Sequence, residues 1–454
     1  MTTGRKPMAM RHFESGSANG GSVLVFCPDA RPPAYELVKG LAETGMLCRF
    51  VTGYHYRRGL IERLAATIPA TKSLHAGLKR RVVPGLDTAQ VERLPSYDFL
   101  IRAENRAGRT SPKLRARIAK YRTERFDRQC AESMLRWAAA GAKLAVFFSD
   151  VGSEFAMARA RECGLKVVLS MVTGHMDEEL ETLDRERQRA PEFYPLYLGD
   201  GSLDLDELKR LHDRRRRDIE QADLVLVPSE HIAELVETRS GVASDKIRVV
   251  PYAADVDRFA PASRYATPER CRFLFAGGIT QRKGLSDLLA AWRQVRRTGW
   301  SLTLAGEAPR RALEKIPQDD PTIELTGKVA YANMPRLMAS HDVFVFPSLF
   351  EGSAVVCYEA LASGLPVITT PQAGSVVRDG QDGLIVPAAD PDALAEAMNR
   401  LGRDPHLRGR LAASARQRAT RHTWHVYRDR TLEALHETLL QSGHEVRGVV
   451  ESLA

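Results

Sequence analysis

Cysteine chemistry is scarce in this chain. The six cysteines, Cys27, Cys48, Cys130, Cys163, Cys271 and Cys357, are scattered among apolar neighbours and none forms a C-x-x-C pair. Zinc spacing is therefore absent, and the pattern predicts buried thiols in a reducing compartment. No apolar run approaches the length of a membrane span. Residues 1–21 are polar and Gly/Ser-rich, lack the apolar core of a signal peptide, and read as a flexible leader. A cytoplasmic protein is expected, with any membrane contact peripheral. There is also no RNA-recognition aromatic pattern and no helix-turn-helix signal, so no nucleic-acid partner is expected. The charge balance, 66 Lys and Arg against 57 Asp and Glu, leaves +9. That excess suits anionic substrates or an anionic membrane surface and does not by itself argue nucleic acid.

What is present is a soluble-type composition, 44% hydrophobic and 27% charged, over 454 residues, enough for two or three cores. Its organising stretch is residues 346–371, FPSLFEGSAVVCYEALASGLPVITTP. Residues 342–346 (DVFVF) read as a strand and residues 355–362 as a helix stopped by Gly364-Leu365-Pro366. Residues 367–370 then read as the next buried strand. A strand feeding a helix through a short loop leaves free N–H groups and a positive dipole end near Gly352, Ser353 and Ala354, which suits a phosphate. Glu351 and Glu359 punctuate this unit. Over a continuous helix they would lie about 12 Å apart along the axis, beyond the roughly 5 to 9.5 Å of paired glycosidase carboxylates. They are better read as two grips on one long ligand, Glu351 beyond the phosphates and Glu359 accepting from a diol.

Glu351-x7-Glu359, set in P-S-x-x-E-G and E-A-x-A-x-G-x-P-V-I, resembles the donor-binding signature of retaining, nucleotide-sugar-dependent glycosyltransferases of the GT-B type, family 4. That resemblance implies an α/β fold with two Rossmann-like domains facing across a cleft. It implies Glu351 near the donor sugar and Glu359 on the ribose hydroxyls. Residues 271–276 (CRFLFA) read as a strand running into Gly277-Gly278-Ile279-Thr280-Gln281-Arg282-Lys283-Gly284. The glycines permit close backbone approach, and Arg282 with Lys283 can neutralise a diphosphate without a divalent metal. The segment is similar to the family's G-x-x-x-x-R-K-G, whose two bases stabilise the departing diphosphate. The strand–loop units at 301–307 and 323–329 follow, and the resemblance places Lys328-Val329 over the nucleotide base, read through backbone groups. Gly278, Val329, Gly352, Ser353, Ala354 and Glu359 are thus the expected donor-binding residues, with no metal and no cofactor beyond the sugar nucleotide.

The first half carries weaker signals. Residues 22–27 (SVLVFC) and 47–52 (LCRFVT) read as strands flanking a helix over 34–44, an order that predicts a parallel sheet with ligands at its carboxyl ends. The loop after the first strand is Pro28 to Pro33 rather than glycine-rich. It is either a stiff turn or a turn in which Arg31 serves as a charged hand. Arginine accumulates over 102–128, with Leu114, Ile118, Tyr121 and Phe126 near helical spacing. This reads either as a solvated face packed by its apolar stripe or as a helix against an anionic membrane carrying a lipid-linked acceptor. Strands at 143–148 and 166–172 follow, the second ending in Thr173-Gly174-His175, and the resemblance offers His175 as an active-site contact to the donor sugar. Residues 176–217 look helical with an interruption at 191–199. Residues 223–228 (DLVLVP) read as the last strand of this half, with Ser229 capping the next helix. Residues 246–259 resemble the family's interdomain segment, and the Asp204-x-Asp206 and Asp255-x-Asp257 pairs are read as structural.

The expected organisation is a leader (1–21), an acceptor-side domain (22–250), a donor-side domain (251–420), and a helix crossing back to the first domain (421–445). The expected activity is retaining transfer of a sugar from a nucleotide diphosphate to a glycan or lipid-linked hydroxyl, in polysaccharide or glycolipid assembly, with Arg282, Lys283, Glu351 and His175 as catalytic residues. Two alternatives stand beside it: a non-catalytic sugar-nucleotide-binding partner of another transferase, and a nucleotide-sugar 2-epimerase.

Overall fold

The computed structural model describes residues 21–56, 81–108, 111–152, 154–198, 204–261 and 269–441. Most of the expected leader, Arg109 of the basic stretch and the last residues of the expected crossing helix, 442–445, lie outside them.

Short Val/Leu/Phe runs ended by Pro, Ser or Gly form two all-parallel sheets, as fully buried strands of this composition do. The first orders its strands β3-β2-β1-β4-β5-β6-β7, with β1 Val23–Phe26, β2 Leu47–Thr52, β3 Val91–Arg93, β4 Leu144–Phe148, β5 Lys166–Ser170, β6 Leu224–Val227 and β7 Ile247–Val249. Its helices are α1 Pro32–Glu43, α2 Ser96–Ala107, α3 Pro112–Ala139, α4 Ala156–Glu162, α5 Met176–Arg189, α6 Leu205–Gln221 and α7 Glu230–Ser240. The second orders β10-β9-β8-β11-β12-β13, with β8 Cys271–Ala276, β9 Trp300–Ala305, β10 Ile323–Gly327, β11 Val343–Phe346, β12 Val367–Thr369 and β13 Gly383–Ile385. Its helices are α8 Leu285–Val295, α9 Arg310–Leu313, α10 Met334–Ala339, α11 Val355–Ala362, α12 Pro391–Arg403 and α13 Pro405–Ala419. The last described helix, α14 Trp424–Gln441, returns to the first sheet's side, where Arg428 pairs with Glu36 of α1 at 2.6 Å.

Two expectations are corrected, and the structural reading of the two Asp pairs agrees with the bonds they make. Strand β6 is not the last of its sheet, because Ile247–Val249 pairs with it in parallel. The apolar stripe of α3 that enters the core is Phe126, Cys130, Met134 and Trp137, all buried, whereas Leu114 and Tyr121 point outward at 47% and 54% exposure. The two Asp pairs are accounted for by local bonds: Asp204 caps α6 by accepting from Asp206 N and Glu207 N, and Asp255 accepts from Arg258 N.

In both sheets the strand order reverses beside one central pair, β1/β4 in the first and β8/β11 in the second. Such switch points open a crevice outside the strands' carboxyl ends.

Candidate active site

At the second switch point lies a cavity of about 350 Å³. Its walls are the ends of β8 (Ala276, Gly277, Gly278), β9 (Ala305, Gly306) and β11 (Phe346), with Lys283, Lys328, Val329, Met334, Glu351, Ser353, Ala354, Val355 and Val356 around them. A Cβ on Gly306 would sit 1.7 Å from Gly277 O, so glycine lets the ends of β8 and β9 approach closely beside the cavity.

The basic turn is held in place by backbone. Gly284 has φ +77° and a Cβ on it would meet Pro347 O at 2.1 Å, so only glycine lets the turn dock on the loop after β11. Leu349 N donates to Arg282 O at 2.9 Å across the same contact. The docking brings Lys283 Nζ against Glu351 Oε1, with Arg282 Nη1 3.4 Å from the same oxygen and 3.3 Å from Phe350 O. Burial, and then the Arg282 guanidinium, push the Lys283 ammonium well below its usual range. Both bases face one carboxylate at the rim of the cavity, and an anion bound beside them would favour the charged form of Lys283.

Ser353 and Ala354 line the cavity, but their polar groups are committed: Ser353 Oγ donates to Gly374 O at 2.7 Å and Ala354 N to Ala373 O at 2.9 Å. Val355 and Val356, absent from the sequence reading, also face the cavity at the start of α11, where first-turn N–H groups have no intrahelical partner. Gly352 does not line the cavity; its carbonyl accepts from Ser229 Oγ of the first domain at 3.2 Å. Val329 and Gly278 are on the wall as expected.

Glu359 lies one turn further along α11, 7% exposed. Burial pushes its carboxyl up to about 7, against the Tyr331 hydrogen bond and nearby Arg258, which lower it. Sequence reasoning missed Tyr331 and Arg258; the only signal was an aromatic beside the Lys328-Val329 loop and a base in the interdomain segment.

His175 is not in the cavity. It is fully buried as the N-cap of α5, its Nδ1 accepting from Asp177 N at 3.3 Å and its Nε2 2.9 Å from Ser240 Oγ. With both ring nitrogens engaged and burial lowering its pKa, it caps a helix and holds α7 to it. Arg31 is paired with Asp29 at 2.8 Å and donates to Ser149 O at 3.2 Å. What the first domain does supply is a brace: Glu186 accepts from Gln281, the residue before Arg282, at 2.5 Å, and Arg189 bridges to Asp287 of α8. Among the described residues no cluster of three His, Cys, Asp or Glu side chains has metal-binding geometry, and no helix is long and apolar enough to cross a membrane.

Two parallel-sheet α/β domains with a cavity at the switch point of the second define the GT-B class of fold. A sucrose-phosphate synthase from Thermosynechococcus elongatus superposes over 93% of this chain and all of its own, with a TM-score of 0.60 at 17% identity. Residues 270–404 match the family model described as Glycosyl transferases group 1, the family that the motifs of that segment resemble. A D-inositol 3-phosphate glycosyltransferase of Corynebacterium jeikeium is 28% identical over 54% of this chain and 64% of that protein. A phosphatidyl-myo-inositol mannosyltransferase of Mycobacterium leprae is 31% identical over 45% of this chain and 57% of that protein. The chain thus matches under two thirds of the length of either relative.

Proposed function

We infer that the protein transfers a sugar, with retention of configuration, from a nucleotide diphosphate to an acceptor hydroxyl in the cleft between the two sheets. The observation that carries this is Lys283 and Arg282 converging on Glu351 at the rim of the β8/β11 cavity. A diphosphate bound there would take over the cations from Glu351 and free that carboxylate for the donor sugar. The two bases would stabilise the charge that develops on the leaving diphosphate, a preorganised electrostatic contribution that needs no divalent ion. No side chain in the cavity is offered as a covalent nucleophile, which fits front-face attack assisted by the leaving phosphate. Val329 would border the base and Glu359 the ribose. The brace from α5 to Gln281 would link closure of the cleft to the position of the two bases, and closure would limit hydrolysis.

Glycolipid or polysaccharide assembly is the reaction class this supports, in keeping with the two relatives named for inositol-containing substrates. A lipid-linked acceptor is supported by exposed side chains of two helices: Phe99 is 71% exposed on α2, Leu114 and Tyr121 are exposed on α3, and Arg102, Arg106, Arg117, Lys120 and Arg125 of the same helices are exposed. Apolar side chains within a basic field suit peripheral contact with anionic lipid.

The test is nucleotide release from UDP-, GDP- and ADP-sugars in EDTA, with and without polyol and lipid acceptors, on wild type and Lys283→Ala. Acceptor-dependent release with retained anomeric configuration by NMR, lost in the variant, is expected. Acceptor-independent isomerisation of the sugar nucleotide would instead establish the 2-epimerase, and binding without turnover the non-catalytic partner.

A further inference from the structure

The loop that carries Glu351 is gripped from across the cleft as well as from its own domain. Val172-Thr173-Gly174, which trail β5, meet Phe350-Glu351-Gly352 through two glycines, one on each side. A Cβ on Gly174 would stand 2.4 and 2.7 Å from Cε2 and Cζ of the Phe350 ring and 2.9 Å from Glu351 O. A Cβ on Gly352 would stand 2.6 Å from Val172 O. Each domain thus enters a notch that the other leaves open by having no side chain there. Gly174 has no positive φ, so its neighbours call for glycine and its backbone does not. Phe350 is 2% exposed and Gly174 is buried, so the ring has no open space to yield into. The same peptide is held from its own side, where Phe350 O accepts from Arg282 Nη1 at 3.3 Å and from Ser348 Oγ at 3.4 Å, and the Glu351 carboxylate meets Lys283.

Resting on the reading of Glu351 as the group that meets the donor sugar, we propose that Gly174 and Phe350 are positioning residues: the Phe350 ring seated on Gly174 is the latch by which docking of the first domain sets Glu351. With the ring in its notch, the Phe350–Glu351 peptide is fixed between Gly174 on one side and Arg282 on the other, and the carboxylate is fixed with it. With the latch undone, the nucleotide cavity keeps its walls, which all belong to the second domain, whereas Glu351 loses its bearing on the sugar. Nucleotide binding and sugar transfer therefore come apart, the first needing one domain and the second needing both. Carbon atoms pack at about 3.5–4.0 Å, so Gly174→Ala pushes the ring by about 1 Å.

Calorimetric titration of UDP, GDP and ADP, beside initial rates of acceptor-dependent nucleotide release from their sugars, separates the two on wild type, Gly174→Ala, Phe350→Leu, the double variant and Lys283→Ala. Gly174→Ala is expected to lower kcat about 100-fold, the scale for a misplacement of that size at reacting groups. Its nucleotide affinity should stay within about twofold of wild type. Phe350→Leu, which leaves the notch empty, should also lower kcat and spare affinity. Leucine lacks both ring atoms that the new methyl group would meet, so the double variant should turn over faster than Gly174→Ala alone, whereas independent structural losses would add. Wild-type kcat in Gly174→Ala, a parallel loss of affinity and kcat, or a double variant slower than Gly174→Ala each overturns the proposal. Should Gly174→Ala not fold, Phe350→Leu decides: a selective fall in kcat upholds the latch and wild-type turnover overturns it. Failure of the underlying reading looks different, because wild type would then release no nucleotide from any donor, or Lys283→Ala would bind and turn over as wild type does, and the latch would fall with it.

Discussion

The two sheets reverse their strand order in the same way, and the loops that follow their first strands use their side chains differently. At β1/β4 the Arg31 side chain reaches across from Asp29 to Ser149 O. At β8/β11 glycines line the strand end, and Arg282 and Lys283 lie to one side, against Glu351. Repeating a topology therefore does not repeat a site. The cavity depends on what the residues after the first strand of the sheet do with their own side chains, and after β8 the glycines leave room of about 350 Å³. The first domain contributes the brace to Gln281 and a wall to the cleft.

The sharpest way to break this contrast is to remove a cation from each side. Lys283→Ala should lower nucleoside diphosphate affinity and turnover at least about 100-fold, the scale for losing one preorganised charge stabiliser. Arg31→Ala should leave nucleotide affinity within about twofold, with calorimetry and initial rates as readouts. Comparable losses in both would mean that the first crevice also binds donor. Next comes pH. The Glu359 carboxyl sits at about 7 in the folded chain against an ordinary 4.5, so the native state holds its proton more firmly than the unfolded chain does. This contribution to stability is full below 4.5 and is lost as pH rises to about 7, by at most about 3 kcal/mol. Urea unfolding of Glu359→Gln should lack that part of the slope. Nucleotide affinity should move the other way, falling as pH drops through about 7 and the carboxylate takes up a proton.

Gly284→Ala should cost about 1–3 kcal/mol, the scale of forcing a side chain into a disfavoured backbone region, and should weaken nucleotide binding because the basic turn loses its dock on Pro347. The smallest effect is expected at His175. His175→Ala should cost about 1 kcal/mol, as a lost helix cap does, while nucleotide affinity stays unchanged. A selective fall in turnover at normal stability would return His175 to the active site.

Much of the second domain was legible because its strands are short apolar runs with abrupt punctuation. Residues 271–276 run into Gly277-Gly278, and the helix read over 355–362 is α11 as observed, since Gly364 and Pro366 permit no continuation. The first domain was less legible for physical reasons. Strands β3 and β7 are three residues each and carry a charged residue, so neither shows a period. Over α3 two apolar rows coexist, and only tertiary packing selects Phe126, Cys130, Met134 and Trp137 over Leu114 and Tyr121. The position of His175 after a strand was readable, but the direction of its ring was set by Asp177 N and Ser240, one local and one 65 residues away. Tyr331 was invisible because its partner Glu359 is close only in the fold.

The central claim is that the second crevice holds a nucleoside diphosphate on Arg282 and Lys283, and its most direct measurement is titration of UDP, GDP and ADP in EDTA against wild type and Lys283→Ala. Saturable one-site binding of at least one of them in wild type, lost in a variant that melts normally, is the predicted result. Equal binding by both proteins would contradict it.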